Sequence, residues 1–326
     1  MVSTTASTTE SITVTMATMN KNETPVGEKS KDTGRKQVYK ILSIIFGIVF
    51  VCCIIWLIVY FVQLKKADKD LEALKESYVV EITPAPVATV APTAISEPTA
   101  TPSADATAEP TASPEPESLY PGLEGYDVPD KTIDFAALQQ DTNEHIYAWI
   151  NVPGTVIDYP VLQHPEELSY YLDHNLDHST GYPGCVFSEL FNSKEWDDSI
   201  TVLYGHNMKN GTMFAGLHQY RDSAFFEENP YIYIYTEDMV KVYQIFAAYE
   251  YSDMDLVQMY QIGGKKMYQQ YLDSIYSLDG MNNNFNTDIE LTLEDRVLTL
   301  CTCISTKPTQ RYLVQGVQVA EGPYEK

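Results

Sequence analysis

The chain has 326 residues, of which 44% are hydrophobic and 20% are charged, and its formal net charge at pH 7 is −24. A protein this acidic is not expected to bind nucleic acid, because its surface would meet the phosphates with charge of the same sign. Only five cysteines occur, which excludes a small scaffold built on disulfides and leaves individual thiols free for chemistry.

The first predicted elements are a tail and a membrane anchor. Residues 1–40 are rich in Ser and Thr and then in Lys, and we predict a disordered cytoplasmic tail there. Residues 41–62 are apolar without one charge, and about 20 such residues in a helix cross a bilayer. A buried core helix and a cleaved signal peptide are the alternatives. The length of the run and its Lys-rich end favour an uncleaved anchor over residues 41–64.

The orientation of the anchor follows from its basic flanks, which are denser on the N-terminal side. The flanking residues are Lys29, Lys31, Arg35, Lys36 and Lys40 before the run and Lys65, Lys66, Lys69 and Lys75 after it. Because the cytoplasmic flank carries the excess of Lys and Arg, the N-terminus is predicted inside. The rest of the chain is then extracytoplasmic, on a protein that spans the cell membrane once.

Residues 65–119 are predicted to be a charged collar followed by a disordered stalk. Residues 67–77 are charged and compatible with a helix, whereas residues 83–118 are almost wholly Pro, Ala, Thr, Ser and Glu. Such a composition cannot bury enough apolar surface to fold. Pro-rich chains extend by up to about 3.1 Å per residue, so the stalk would hold the next domain away from the membrane.

Residues 120–326 have the composition of a globular domain rich in Tyr. Helical spacing occurs at residues 135–149 and 265–278. The predicted strands are two within residues 148–161 around a Pro-Gly turn, then residues 185–187, 200–204, 231–235, 241–251, 296–303 and 312–319. Many short strands with few helices predict a mostly β fold, either a closed barrel or a sandwich.

Three residues at strand ends carry the chemistry that the sequence suggests. Cys303 ends the strand RVLTLCTC, His206 follows the strand that ends in LYG, and Arg311 begins the last strand. Taken alone, they could be a buried thiol, a surface histidine and a solvated charge. Together they suit acyl transfer, in which a thiolate attacks, a histidine moves protons and a cation holds an oxyanion. If the strands around residues 304–310 are adjacent, Cys303 and Arg311 meet at one end of a sheet.

At these motifs the sequence resembles the sortases, a family of cysteine transpeptidases. TLCTC at residues 299–303 resembles their active-site signature, and LYGHNM at residues 203–208 is similar to their histidine motif. Arg311, followed by YLVQG, matches their arginine strand, and GTVIDYPV at residues 154–161 resembles their early strand pair. The likeness therefore runs over most of residues 148–319, in the order of the family.

The subclass that the sequence most resembles is class B. The YGHNM form, the N-terminal anchor and the absence of a C-terminal membrane helix point there. The long stretch between the strands at residues 241–251 and 296–303 has room for the extra helix of that class. One departure is Cys301, where the family usually has a small hydroxyl residue before the Thr-Cys pair, and which adds a second thiol on the face of Cys303.

The resemblance implies a sortase-type closed β-barrel with a few peripheral helices, and a reaction that needs no cofactor. Cys303 attacks a carbonyl in the C-terminal sorting signal of a secreted protein, and His206 protonates the leaving fragment. An amine of peptidoglycan or its lipid-linked precursor then resolves the thioester, while Arg311 holds the substrate or the oxyanion. The family also implies an envelope of the Gram-positive type.

Three other functions stay open. A pilin-polymerising transpeptidase would use a lysine side chain of another subunit as acceptor. A cysteine endopeptidase would use the same residues with water as acceptor. A non-catalytic receptor on a stalk would need none of Cys303, His206 and Arg311, so the presence of all three argues against it.

Overall fold

The computed structural model describes residues 28–81, 120–253, 256–278 and 280–324. The chain divides into two compact units, Met1–Phe61 and Val62–Lys326. The first helix, α1 (Glu28–Tyr78), contributes residues to both. Among the described residues it is the one helix that is long and apolar enough to cross a membrane, by length and composition alone. The anchor itself, its orientation and the domain divisions stay predictions.

The structure describes part of the predicted N-terminal tail and none of the predicted Pro-rich stalk. Helix α1 begins at Glu28, inside the segment of residues 1–40 predicted as a disordered tail, and the tail stays a prediction. The Lys, Arg and Gln residues there are good helix formers, which lets a helix extend upstream from the apolar run. The Pro-rich stalk predicted at residues 83–118 lies outside the described residues.

In the part that the structure describes, the second unit contains three further helices and eleven strands. The helices are α2 (Phe135–Asp141), α3 (Ser223–Glu228) and α4 (Leu256–Ile275), with two 3-10 helices at Tyr170–Leu172 and Phe214–Arg221. The strands are β1 (Val79–Glu81), β2 (Lys131–Ile133), β3 (Ile146–Asn151), β4 (Asp158–Leu162), β5 (Val186–Ser188), β6 (Ile200–Tyr204), β7 (Tyr231–Tyr235), β8 (Met239–Ser252), β9 (Asn284–Phe285), β10 (Val297–Ile304) and β11 (Lys307–Pro323).

Eight of these strands close into a barrel. Their order is β11-β10-β6-β5-β4-β3-β7-β8, and β8 pairs back onto β11, while β9 pairs with β8. The pair β10–β11 is antiparallel, whereas β6 and β10 run parallel. Closure leaves none of the eight strands with a free edge. The predicted mostly β fold with a closed barrel is confirmed.

Strand β10 alternates between two apolar clusters, which fixes the direction of its side chains. Leu298 and Leu300 belong to one cluster with Val314 of β11. Cys301 belongs to another, in which α4 supplies Tyr268, Tyr271 and Leu272. Because side chains alternate along a strand, Cys303 lies on the same face as Cys301. Cys301 is buried and Cys303 is exposed.

Some predicted boundaries are wrong for identifiable reasons. The helix predicted over residues 135–149 stops at Asp141, and β3 begins at Ile146. Helix α4 begins at Leu256, upstream of the predicted residue 265, and it is kinked at Gly264 (φ 66°). Residues 304–310, predicted as a loop, are mostly strand, since β11 begins at Lys307. Their side chains are largely exposed, so they show no apolar alternation.

The helical residues just after position 62 pack onto the barrel. Leu64 and Leu71 lie against the cluster that contains Leu300, and Leu74 is buried in a separate cluster with Trp149. The Nζ of Lys75 lies 3.6 Å from a carboxylate oxygen of Asp158. The segment predicted as a charged collar is therefore a packed helix in the second unit, where it forms one wall of a cavity.

Candidate active site

Cys303 lies opposite Arg311 in the barrel wall. The antiparallel register of β10 and β11 pairs these two residues directly. Side chains of directly opposed residues project from the same face, with Cβ atoms about 4.5–5.5 Å apart. The exposed thiol and the cation that the sequence predicts at one end of a sheet are thus cross-strand neighbours.

His206 reaches the same end of the barrel from the other neighbouring strand. Tyr204, the last residue of β6, pairs in parallel with Cys301 of β10. Both strands point the same way, so two further residues bring the chain to His206 on one side and Cys303 on the other. The amide of Gly205 donates to the carbonyl of Cys301 at 3.2 Å, which extends the ladder toward His206.

A tight packing arrangement fixes the backbone just before His206. The hydroxyl of Thr302 donates to the carbonyl of Gly205 at 2.8 Å. A Cβ atom added to Gly205 would lie 2.7 Å from the ring of Phe214, a distance too short for a side chain. The amide of Phe214 in turn donates to the carbonyl of His206 at 2.9 Å. The LYGHNM motif therefore needs glycine at this position.

The imidazole of His206 is held by the loop between β4 and β5. Its Nε2 lies 2.6 Å from the carbonyl oxygen of Leu172, where an N–H must be the donor. The ring of Tyr182, from the same loop, has its centroid 5.0 Å away. This arrangement assigns the proton to Nε2 and leaves Nδ1 as the nitrogen that can exchange a proton with a reacting group.

Arg311 is turned toward its own strand. Its Nη1 donates to the carbonyl of Pro308 at 3.0 Å and to that of Gln310 at 3.1 Å. Among the described residues no carboxylate pairs with it, and no hydrogen bond joins it to Cys303 or His206. The three side chains that the sequence singles out therefore converge on one region, with no hydrogen bond between them among the described residues.

Two residues that the sequence reasoning did not place in the site hold the backbone of Cys303. The amide nitrogen Nδ2 of Asn207 donates to the Cys303 carbonyl at 2.9 Å, and Nε2 of His218 lies 3.1 Å from the same oxygen. Burial, with a smaller effect of Arg221, lowers the pKa of His218 below its ordinary value. His218 belongs to the 3-10 helix after the LYGHNM loop, and no sequence pattern points to this contact.

A cluster of charged side chains stabilises the turn between β10 and β11. Lys307, at the start of β11, forms an ion pair with Glu250 of β8, and Arg221 lies 3.3 Å from the same carboxylate. The guanidinium of Arg221 also sits 4.9 Å from the ring centroid of Tyr312, the residue after Arg311. The hydrogen bond from Lys307 lowers the pKa of Glu250, so the carboxylate stays charged at neutral pH.

Comparisons with known proteins identify the family to which the chain is similar. The sequence profile of the Sortase domain matches residues 150–319. Sortase B of Listeria monocytogenes is 30% identical over 185 residues, which is 56% of this chain and 73% of that protein. The X-ray structure of Clostridium perfringens sortase B aligns with a TM-score of 0.51 and 32% identity, covering 57% of this chain and 100% of that one. A Staphylococcus aureus sortase B–substrate complex aligns with a TM-score of 0.50 and 28% identity, covering 57% and 84%.

Proposed function

The chain belongs to the sortase family of cysteine transpeptidases and resembles its class B members, and we propose that it joins secreted proteins to an amine of the cell envelope. The observation that carries the proposal is the convergence of Cys303, His206 and Arg311 at one end of three neighbouring strands. Each residue type is suited to one task of acyl transfer, namely nucleophile, proton carrier and oxyanion binder.

The first half of the reaction forms a thioester. The Cys303 thiolate attacks a backbone carbonyl in the sorting signal near the C-terminus of a secreted protein. The resulting oxyanion is stabilised by the guanidinium of Arg311, which turns from the carbonyls of Pro308 and Gln310 toward the substrate. The proton released by the Cys303 thiol is held on Nδ1 of His206. The C–N bond then breaks, and His206 gives this Nδ1 proton to the departing amine, so that the acyl group stays on sulfur.

In the second half of the reaction, His206 accepts a proton and the sulfur of Cys303 is the leaving group. A primary amine of peptidoglycan or its lipid-linked precursor attacks the thioester carbon and loses a proton to His206. The C–S bond breaks, an amide forms and the thiolate of Cys303 is restored. No cofactor enters this scheme, since the thiolate supplies the nucleophile and the amine supplies the acceptor.

The proposed location follows from the predicted organisation of the chain. Residues 41–64 would anchor the enzyme in the cell membrane with its N-terminus inside. Residues 120–326 would then form the catalytic domain on the outer side, with residues 65–119 between it and the anchor. An enzyme held in this way meets secreted proteins as they leave the membrane.

Mass spectrometry of the products tests this function. The full chain, purified in detergent micelles, is mixed with peptides from the C-terminal regions of secreted proteins, with and without a primary amine. We expect a covalent adduct on Cys303 and a product whose mass includes the amine. A hydrolysed product alone, at saturating amine, would instead identify an endopeptidase. Selective transfer to a folded protein lysine would identify a pilin polymerase.

A further inference from the structure

A cavity of about 600 Å³ lies beside the candidate active site, within the second unit. One wall is the segment of α1 at residues 63–78, and the opposite wall is formed by residues 175–186 of the loop that leads into β5. We call it the helix–loop cavity. Its lining includes apolar side chains such as Leu71 and Leu74 as well as charged ones.

The helix–loop cavity adjoins the candidate catalytic histidine. Tyr182 lines the cavity, and its ring packs 5.0 Å from the ring of His206. Met213 also lines the cavity and forms an isolated β-bridge with Asn207, the residue after the histidine. A molecule held in the cavity would therefore lie on the His206 side of the thioester.

Two carboxylates of the cavity already lie close to a primary ammonium group, which is that of Lys66. Lys66 places its Nζ 3.4 Å from a carboxylate oxygen of Asp177 and 3.8 Å from one of Asp70. The hydrogen bond from Ser179 lowers the pKa of Asp177, which keeps that carboxylate ionised. The side chain of Lys66 is 65% exposed, and those of Asp177 and Asp70 are 54% and 58% exposed. The pairing is therefore weak, and another ammonium can displace Lys66 at little cost.

We propose that the helix–loop cavity binds the primary ammonium of the amine acceptor, with Lys66 occupying the same carboxylates until the acceptor arrives. The inference rests on the proposed transpeptidase function. The acceptor first loses one proton to solvent and becomes nucleophilic. Its second proton passes to His206 as the C–N bond forms, and the C–S bond breaks to restore the thiolate.

Opposite charge changes on one helix test this site. Lys66→Gln removes the internal competitor, and we expect it to lower the KM for the amine about fivefold, roughly the value of an exposed ion pair. Asp70→Asn removes a binding carboxylate and should raise that KM about fivefold. Lys69→Gln and Glu76→Gln make the same charge changes on α1 outside the cavity, and both should stay within about twofold of the native chain.

The measurement uses the full chain in detergent micelles and a peptide that acylates Cys303. Cadaverine and triglycine serve as acceptors, which separates a side-chain amine from an α-amine. Release of the C-terminal fragment reports acylation, which should not change in either cavity variant. A loosened helix would shift both variants in the same direction. Equal shifts, or shifts no larger than those of the two controls, would overturn the proposal.

A binding experiment keeps this inference separate from the proposed function. Calorimetry with cadaverine and the Cys303→Ala chain needs no catalysis. Tighter binding in Lys66→Gln and weaker binding in Asp70→Asn would support the cavity, even if no peptide forms an acyl-enzyme. Absence of binding, in a chain whose native form does acylate, would remove the cavity and leave the transpeptidase function standing.

Discussion

Cys303 and Arg311 face each other across the β10–β11 ladder, and a bulge sets the direction of the arginine. The next ladder pair is Ile304 with Lys307, so residues 308–310 are extra residues on the β11 side. Bulges re-aim the side chains beside them. Here the guanidinium of Arg311 donates to two carbonyls of the bulge. A substrate oxygen has to compete with these carbonyls for the same donors.

We expect the two neighbouring thiols to differ in function. Cys303→Ala should abolish cleavage and transfer, because the exposed thiol is removed. Cys301→Ala should keep most of the activity and lower stability by about 1 kcal/mol, since Cys301 is only 7% exposed and packs with Leu313. Peptide cleavage by mass spectrometry and thermal melting measure the two effects. An inactive but folded Cys301→Ala chain would reverse the assignment.

His218 should act as a positioning residue for the nucleophile. His218→Gln keeps a donor that can reach the Cys303 carbonyl, and its acylation rate should remain close to native. His218→Phe leaves Asn207 as the donor on that carbonyl and should slow acylation about fivefold, the value of one hydrogen bond. The peptide KM should change little in either. Equal loss of rate in both variants would indicate a packing role instead.

The same residue should contribute to the pH dependence of stability. Burial lowers the pKa of His218 in the folded chain relative to about 6.5 in an unfolded one. Its contribution is therefore present above about pH 6.5 and is lost as pH falls through the folded value. Melting temperatures of native chain and His218→Gln, measured between pH 7 and pH 5, should show a smaller decline in the variant. Parallel declines would contradict this prediction.

Glu250 should stabilise the turn that carries the site, in a lower pH range than His218. Its pKa lies below the ordinary 4.5, chiefly because of the hydrogen bond from Lys307. The stabilisation is thus present above about pH 4.5 and is lost as pH falls further through the folded value. Glu250→Gln should lower stability by about 1 kcal/mol at pH 7, and the difference from the native chain should shrink below pH 4. Glu227→Gln, an exposed change on α3, is the control and should have no effect.

Much of the barrel could be predicted because its strands carry regular signals. Strands β6 and β7 lie within a residue of their predicted bounds, since apolar runs and turn residues mark them. The helical spacing at residues 135–149 runs into strand β3, where Ala148 and Trp149 are both fully buried. A strand covered on both faces has no period of two, and its sequence cannot be told from that of a buried helix.

The candidate site, like the barrel, could be predicted only in part. The placement of Cys303, His206 and Arg311 at one end of the barrel followed from strand ends and from family motifs, although their catalytic roles stay predictions. The contacts of His206 with Leu172 and Tyr182 come from a loop that has no periodic signal. Such contacts depend on tertiary structure, which brings together residues far apart in the chain, and one sequence does not encode them as a pattern.

The last prediction is that lysine cannot replace Arg311. A lysine keeps the positive charge but loses the planar fork that can bind two oxygens at once. If Arg311 binds the oxyanion, Arg311→Lys should slow acylation by about 10²–10³, the value of one oxyanion donor. Folding should change little, because the guanidinium has no carboxylate partner among the described residues and bonds only carbonyls of its own strand. Acyl-enzyme formation and thermal melting are measured together for Arg311→Lys and Arg311→Ala. Near-native acylation in the lysine variant would show that charge alone suffices, and an unfolded lysine variant would make Arg311 a structural residue of the bulge.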